Sequence, residues 1–182
     1  RIPRMLARAS YINDIKDISL NDLVEATQLS SCEFYQVMIQ AMRENYPVTT
    51  GIMPWVFKRA WATVGIQIVD GMGDPIAPYY YVKNSYKPLI AMVCMEHLTY
   101  APNEKVNLST KIINDGGEDI CDAILELQVL APNMQVAYKK TQIVSVTSED
   151  YQTVFAVDAF EIPYDYNEKF FLYLDFRSCR SH

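Results

Sequence analysis

Apolar residues in this chain recur with two different periods, and the change between them falls near Pro88. From Leu20 onward Leu23, Val24, Leu29, Val37, Met38 and Met42 repeat at helical spacing, with no Gly or Pro until Pro47. Ser19-Leu20-Asn21-Asp22 ahead of them is a capping signature, because the serine hydroxyl can accept from a free amide of the first turn. One long amphipathic helix from Leu20 to about Asn45 is expected, with a break allowed near Ser30-Ser31. Glu25, Glu33, Arg43 and Glu44 are expected on its wet side.

The run Gly51-Ile52-Met53-Pro54-Trp55-Val56-Phe57 is short and almost wholly apolar. Such a run predicts a strand buried on both faces, although Pro54 cannot donate to a ladder and suits only the strand's end. Turn chemistry fills Asp70-Gly71-Met72-Gly73-Asp74-Pro75, and its glycines lack the spacing of a phosphate-binding loop. A helix is predicted over Ile76–Tyr86, with Pro78 in its first turn and Pro88 closing it. Helix, apolar strand, loop and helix make an α/β rhythm. After Pro88 the β-rich runs are Leu89–Cys94, Val106–Ile113, Ala123–Leu130, Val136–Val146, Val154–Val157 and Phe170–Phe176. Turns at Asn114–Gly117, Ala131–Asn133 and Pro163–Asn167 separate them, as in an antiparallel immunoglobulin-like sandwich. The expected domains are therefore 1–88 and 89–182, the last strand of the second being left open.

Composition removes several function classes. The net charge is −6 and no Lys/Arg run is longer than the pair Lys139-Lys140, so the electrostatic footprint of a nucleic-acid binder is missing. No apolar run approaches the roughly 20 residues of a membrane helix. The opening RIPRMLARAS lacks the apolar core and cleavage site of a signal peptide, and a start without Met suits an excised segment. Localisation is unreadable. Cys32, Cys94, Cys121 and Cys179 are widely spaced with only His97 and His182 beside them, so free, buried thiols are expected rather than a metal site or disulfides. The 13 Tyr, 7 Phe and 2 Trp exceed a minimal core and suit sandwich interiors or sugar-stacking surfaces.

No catalytic set is legible. Glu96, Glu104, Glu118, Asp119, Asp122 and Glu126 fall in strands or turns where a solvated edge is the default, and Asp70 reads as a turn cap. Neither His97 nor His182 accompanies a nucleophile elbow.

The order of motifs across most of the chain nevertheless has a counterpart. Ala41-Met42-Arg43 closes a helix and Gly51 leads a run to Trp55; Trp61 follows, then Ile68-Val69-Asp70-Gly71-Met72-Gly73-Asp74-Pro75 and Ala77-Pro78-Tyr79-Tyr80. This order resembles the closing strand and last helix of the catalytic barrel in glycoside hydrolase family 2, in its β-mannosidase-like branch. Ile113-Asn114-Asp115-Gly116 resembles the first turn of that family's following sandwich domain. The resemblance implies an α/β barrel fragment over 1–88, the (β/α)8 end, followed by the sandwich. It also implies a retaining exo-glycosidase acting on terminal β-linked sugars, with no cofactor, no metal and its catalytic glutamates outside this chain.

By the same resemblance Trp55 stands on the wall of the subsite for the cleaved sugar, because barrel strands present their C-terminal ends to substrate. A structural cap on the barrel is the bland alternative. Trp61, Lys58 and Arg59 follow as weaker substrate-binding candidates, against a plain solvated loop. Ala62 stands where relatives carry proline, which leaves mannose specificity open. The expected partners are a carbohydrate substrate and the upstream part of the same enzyme, with no nucleic acid or membrane and a homo-oligomer left open. The second reading is a non-catalytic carbohydrate-binding or interaction sandwich; an upstream Asn-Glu pair and a later glutamate would favour the enzyme.

Overall fold

The computed structural model describes residues 2–63, 65–97, 99–148, 153–156, 160–161 and 169–177. The chain divides into two compact units, Arg1–Lys87 and Pro88–His182. The first holds three helices: α1 (Ile2–Ile12), α2 (Leu20–Glu44) and α3 (Ala77–Ser85). Ser19 caps α2 as its sequence predicts, its hydroxyl accepting from the Asp22 amide at 3.2 Å. Pro78 sits in the first turn of α3, where an absent N–H costs nothing. The helix α1 has no counterpart in the sequence reading; Ala9, its one buried residue, is small enough for close helix contact. Tyr35 and Ile39 of α2 form the core with Ile68, Val69 and Val82, so the connection before α3 supplies part of the interior.

Two expectations fail here. Residues 51–57 form no strand, and the described residues of the first unit contain only isolated bridges, Lys58 with Val69 and Val69 with Pro75. The expected burial is reversed, with Met53 96% and Trp55 72% exposed. A strand buried on both faces needs neighbours, and none lies within this unit to pair with a run that Pro54 already weakens. A barrel strand is therefore not seen. Arg43 is not on a wet face either: its Nη1 donates to the carbonyls of Ser85 at 2.8 Å and Lys87 at 2.7 Å, closing off the end of α3.

The second unit is an antiparallel β-sandwich. Its strands are β1 (Leu89–Met95), β2 (Lys105–Val106), β3 (Leu108–Asn114), β4 (Ile120–Leu130), β5 (Val136–Val146), β6 (Thr153–Ala156), β7 (Phe160–Glu161) and β8 (Phe171–Arg177). One sheet runs β1-β3-β6, the other β5-β4-β8, and β2 pairs with β7. Alternation along β4 sends Ala123, Leu125, Leu127 and Val129 inward against Ile112 of β3 and Leu108. The expected turn Pro163–Asn167, Val157, Cys179 and His182 lie outside the described residues.

Three side chains depart from expectation. Cys32 is buried and its thiol is pushed up to about 11 by desolvation, but Cys94 is only partly covered and Cys121 is exposed. A register shift between Ile120 and Ala123 takes Cys121 and Asp122 out of the strand's alternation. Glu126, read as a solvated edge, is 9% exposed on the central strand, 2.9 Å from Lys139 Nζ and 3.7 Å from Arg177 Nη2. Flanking strands on both sides bring those cations over it.

Asn114 is the polar pin of this unit. Buried to 1% exposure, its Nδ2 donates to Glu118 O at 2.7 Å and Thr147 O at 3.4 Å, while Oδ1 accepts from the Gly116 amide. It joins the β3–β4 turn, where Gly117 adopts φ +73°, to the end of β5. Asn114→Ala is expected to cost about 2 kcal/mol, the scale of stranding buried acceptors. Denaturant unfolding followed by far-UV circular dichroism checks this; a loss under about 0.5 kcal/mol would deny the pinning role.

Candidate functional site

The segment between α2 and α3 carries every candidate named above, and its backbone is closed at a neck. Phe57 O accepts from Ile68 N at 3.2 Å and Val69 N at 3.0 Å, and Ile76 N returns to Ile68 O at 3.2 Å. Side chains from both helices pin the same region. The Tyr35 hydroxyl donates to Ile66 O, Gln28 Oε1 accepts from Ala77 N at 3.0 Å, and the Tyr86 hydroxyl donates to Ile52 O at 2.8 Å. These bonds fix the chain at Phe57 on one side and at Ile66, Ile68 and Val69 on the other.

Asp70 organises the turn that follows. Its Oδ1 accepts from the amides of Met72 at 2.9 Å, Gly73 at 2.8 Å and Asp74 at 2.9 Å. The Asp74 amide leads the causes that hold this carboxyl below its ordinary 3.8, with Lys58 contributing last. Asp70 is thereby held as an ionised cap, a poor proton donor at neutral pH, as the turn reading expects. A depressed carboxyl adds stability above its unfolded value and loses it as pH falls through the folded one. The loop should therefore loosen only below pH 3.8, and Asp70→Asn should shift that acid midpoint when tryptophan emission is followed during titration. An unshifted midpoint would remove Asp70 from the account.

Gly71 has a reason to be glycine. A Cβ there would stand 2.7 Å from Ala62 N and 2.8 Å from the carbonyl carbon of Trp61, so the backbone of the loop rests directly on the turn. The Trp61 backbone thus packs against the turn, while the residue as a whole is 68% exposed. Trp55 and Phe57 are exposed ahead of that neck, and the Trp55–Val56 peptide is cis. Ile52, Met53, Pro54 and Phe57, with Tyr79 and Val82 of α3, line an open, largely apolar cavity of about 460 Å³.

The two cations separate. Lys58 Nζ lies 3.5 Å from the point where Gly73 would carry a Cβ, over the Asp70 turn. Arg59 turns instead toward Gly65 and Gln67, and its buried Nε has no hydrogen-bond partner. Gln67 escaped the sequence reading, because a single amide between two isoleucines carries no pattern. It is 9% exposed, its Nε2 donating to Thr63 O at 2.8 Å and its Oε1 buried without a partner. Trp55 and Trp61 leave much of their surface to solvent, and Arg59 is partly exposed on the same connection. Among the described residues no group of three or more His, Cys, Asp or Glu could hold a metal ion, and no helix is long and apolar enough to cross a membrane.

No family model and no curated protein matches the sequence. Solved structures match the fold along nearly the whole chain. An exo-chitosanase, CsxA, of Amycolatopsis orientalis superposes with TM-score 0.73 over 97% of this chain at 18% identity. A β-D-mannosidase of Dictyoglomus thermophilum gives 0.73 over 97% at 17% identity. This chain spans 20% of the length of each. The shared property at these identities is the fold.

Proposed function

We propose that this chain is the C-terminal part of a retaining exo-glycosidase of glycoside hydrolase family 2, in its β-mannosidase-like branch. In this reading residues 1–88 complete the catalytic barrel, and 89–182 form the immunoglobulin-like sandwich that follows it. The observation carrying the reading is the continuous fold likeness to two exo-acting glycosidases across 97% of this chain. The motif order from Gly51 to Tyr80 points the same way, as does an aromatic loop held rigid at its neck yet open at its tip.

The reaction would be carried by two carboxyl groups about 5–5.5 Å apart on strands outside this chain, one protonating the leaving oxygen and one attacking the anomeric carbon. The residues here supply the wall. Trp55 stacks on the bound sugar, with Trp61 and the cations Lys58 and Arg59 at the rim. Residues 51–57 then gain, from strands of the same polypeptide, the ladder partners they lack within the first unit.

The test is the polypeptide that carries this chain. Its sequence ahead of Arg1 should hold an Asn-Glu pair and a later glutamate, and replacing either glutamate by Gln should abolish hydrolysis of aryl β-glycosides. A polypeptide lacking that pair, yet binding oligosaccharide through residues 89–182, would establish the non-catalytic sandwich instead.

A further inference from the structure

We propose that the outer face of the β5-β4-β8 sheet binds a neutral polysaccharide, with Tyr173 and Phe171 stacking on its rings and Gln128 and Lys139 taking its hydroxyls. This goes beyond the glycosidase reading, because the face belongs to the sandwich and its binding does not depend on cleavage.

Strand register lays out the face. Leu172, Leu174 and Phe176 of β8 pack into the core, so alternation leaves Phe171 and Tyr173 outside, 51% and 50% exposed. Two residues apart on one strand, the rings are spaced by about 7 Å along it. Leu130 of β4 pairs with Phe171 on one side and Val136 on the other, which makes an apolar row across three strands. The next row on the same face is Lys139, Gln128 and Tyr173, and the one after it has Glu126 at its centre.

Glu126 orders the polar groups. It is 9% exposed; one of its oxygens accepts from Gln128 Nε2, and the other lies 2.9 Å from Lys139 Nζ. With its nitrogen so engaged, the Gln128 amide keeps Oε1 without a partner among the described residues, as a positioned acceptor in the row of Tyr173. The Lys139 ammonium has three donors and spends one on Glu126, so donors remain on the other side of the same amide. A sugar hydroxyl both donates and accepts. One buried carboxylate thus sets out a partner for each role beside an exposed ring.

Charge decides the class of ligand. Lys139 and Arg177 balance Glu126 and Asp175, with Arg177 Nε 2.8 Å from Asp175, so these four groups cancel on a chain of net charge −6. A polyanion would find no surplus of cations here. A protein partner would have to seat the dry centre of its interface on the ionic row, where interfaces are depleted of charge. A neutral sugar chain, apolar on its ring faces and polar at its edges, matches an aromatic row laid beside a polar one.

The experiment runs the full polypeptide that contains this chain through native gels holding hydroxyethylcellulose or galactomannan, with carboxymethylcellulose as the anionic arm. The expected result is retardation by at least one neutral polymer, with the dissociation constant raised about tenfold or more by Tyr173→Ala and little by Tyr173→Phe. Gln128→Met keeps both rings and removes the acceptor, so it should weaken binding severalfold by itself. Trp55→Ala, in the first unit, should leave the retardation unchanged. Retardation by neither neutral polymer overturns the proposal, and so does retardation by the anionic one alone. Binding that survives both Tyr173→Ala and Gln128→Met, or that is lost in Trp55→Ala instead, overturns it as well. A melting temperature several degrees lower in Tyr173→Ala would show the face covered by the rest of the polypeptide, and a smaller mass by light scattering would show it covered by a second copy; either result overturns the sugar face. None of these readouts uses hydrolysis, so a polypeptide that cleaves no aryl glycoside still tests the face.

Discussion

Purified by itself, the 182-residue chain is expected to self-associate and to hydrolyse no aryl β-glycoside above buffer background. The cause lies in the first unit. Val48, Leu20, Val37, Met53, Trp55 and Phe57 are all exposed there, on α2 and on the segment after it. Burial of such a side chain is worth about 1.5–3 kcal/mol, so six of them withhold roughly 9–18 kcal/mol at most. That is the scale of a whole domain's stability, which makes the uncovered surface an interface in waiting. In the glycosidase reading the remaining barrel covers it; without that barrel, further copies of the chain do. Light scattering behind a sizing column should report masses well above 20.9 kDa. A stable monomer at 20.9 kDa with protected amides across 2–87 would overturn the argument. Turnover that survives rigorous purification would overturn it from the other side, and return attention to Glu96, Glu104, Glu118, Asp119, Asp122, Glu126 and Asp70.

What the amino-acid pattern reveals, and what it conceals, follows from where the stabilising contacts come from. The helix α2 is legible because its signal is local: Ser19 meets Asp22 within one turn, and the apolar positions repeat at the helix's own period. β5 is legible for the same reason, its observed span matching the β-rich run Val136–Val146. The run Gly51–Phe57 misleads because apolar content says what a segment could bury, and not whether its own unit supplies the neighbours to bury it against. Glu126 is misread because its cover comes from β5 and β8, more than ten residues away along the chain. Arg59 and Gln67 show the extreme case. Two polar residues eight apart in an irregular loop have no period, and only the folded backbone brings both to Gly65. The candidate tryptophans could be chosen by residue type and motif order; the loop that holds them could not.

Trp55→Ala, made in the full polypeptide, is expected to lower kcat/KM on its preferred glycoside by tenfold to thirtyfold while leaving the sandwich's melting unchanged. The magnitude comes from a lost ring contact of ~1–2 kcal/mol, and it grows if the indole also positions the reacting sugar. The direction comes from placement. Trp55 is 72% exposed in the first unit, whereas the interior of that unit is made by Tyr35, Ile39, Ile68, Val69 and Val82. A residue outside the core has little packing to lose within this chain, so a structural role would have to arise against the rest of a barrel. The two roles therefore separate experimentally. A sugar-stacking tryptophan raises KM or lowers kcat/KM with the thermal transition in place, and Trp55→Phe recovers part of the loss because a smaller aromatic face remains. A barrel cap instead lowers the melting temperature by several degrees with the kinetics of the surviving folded enzyme intact. Trp61→Ala supplies the comparison: Trp61 is similarly exposed, but its backbone packs against the turn at Gly71. If both substitutions depress kcat/KM without moving the melt, the loop between α2 and α3 is a sugar wall. If Trp55→Ala moves only the melt, the cap reading replaces it.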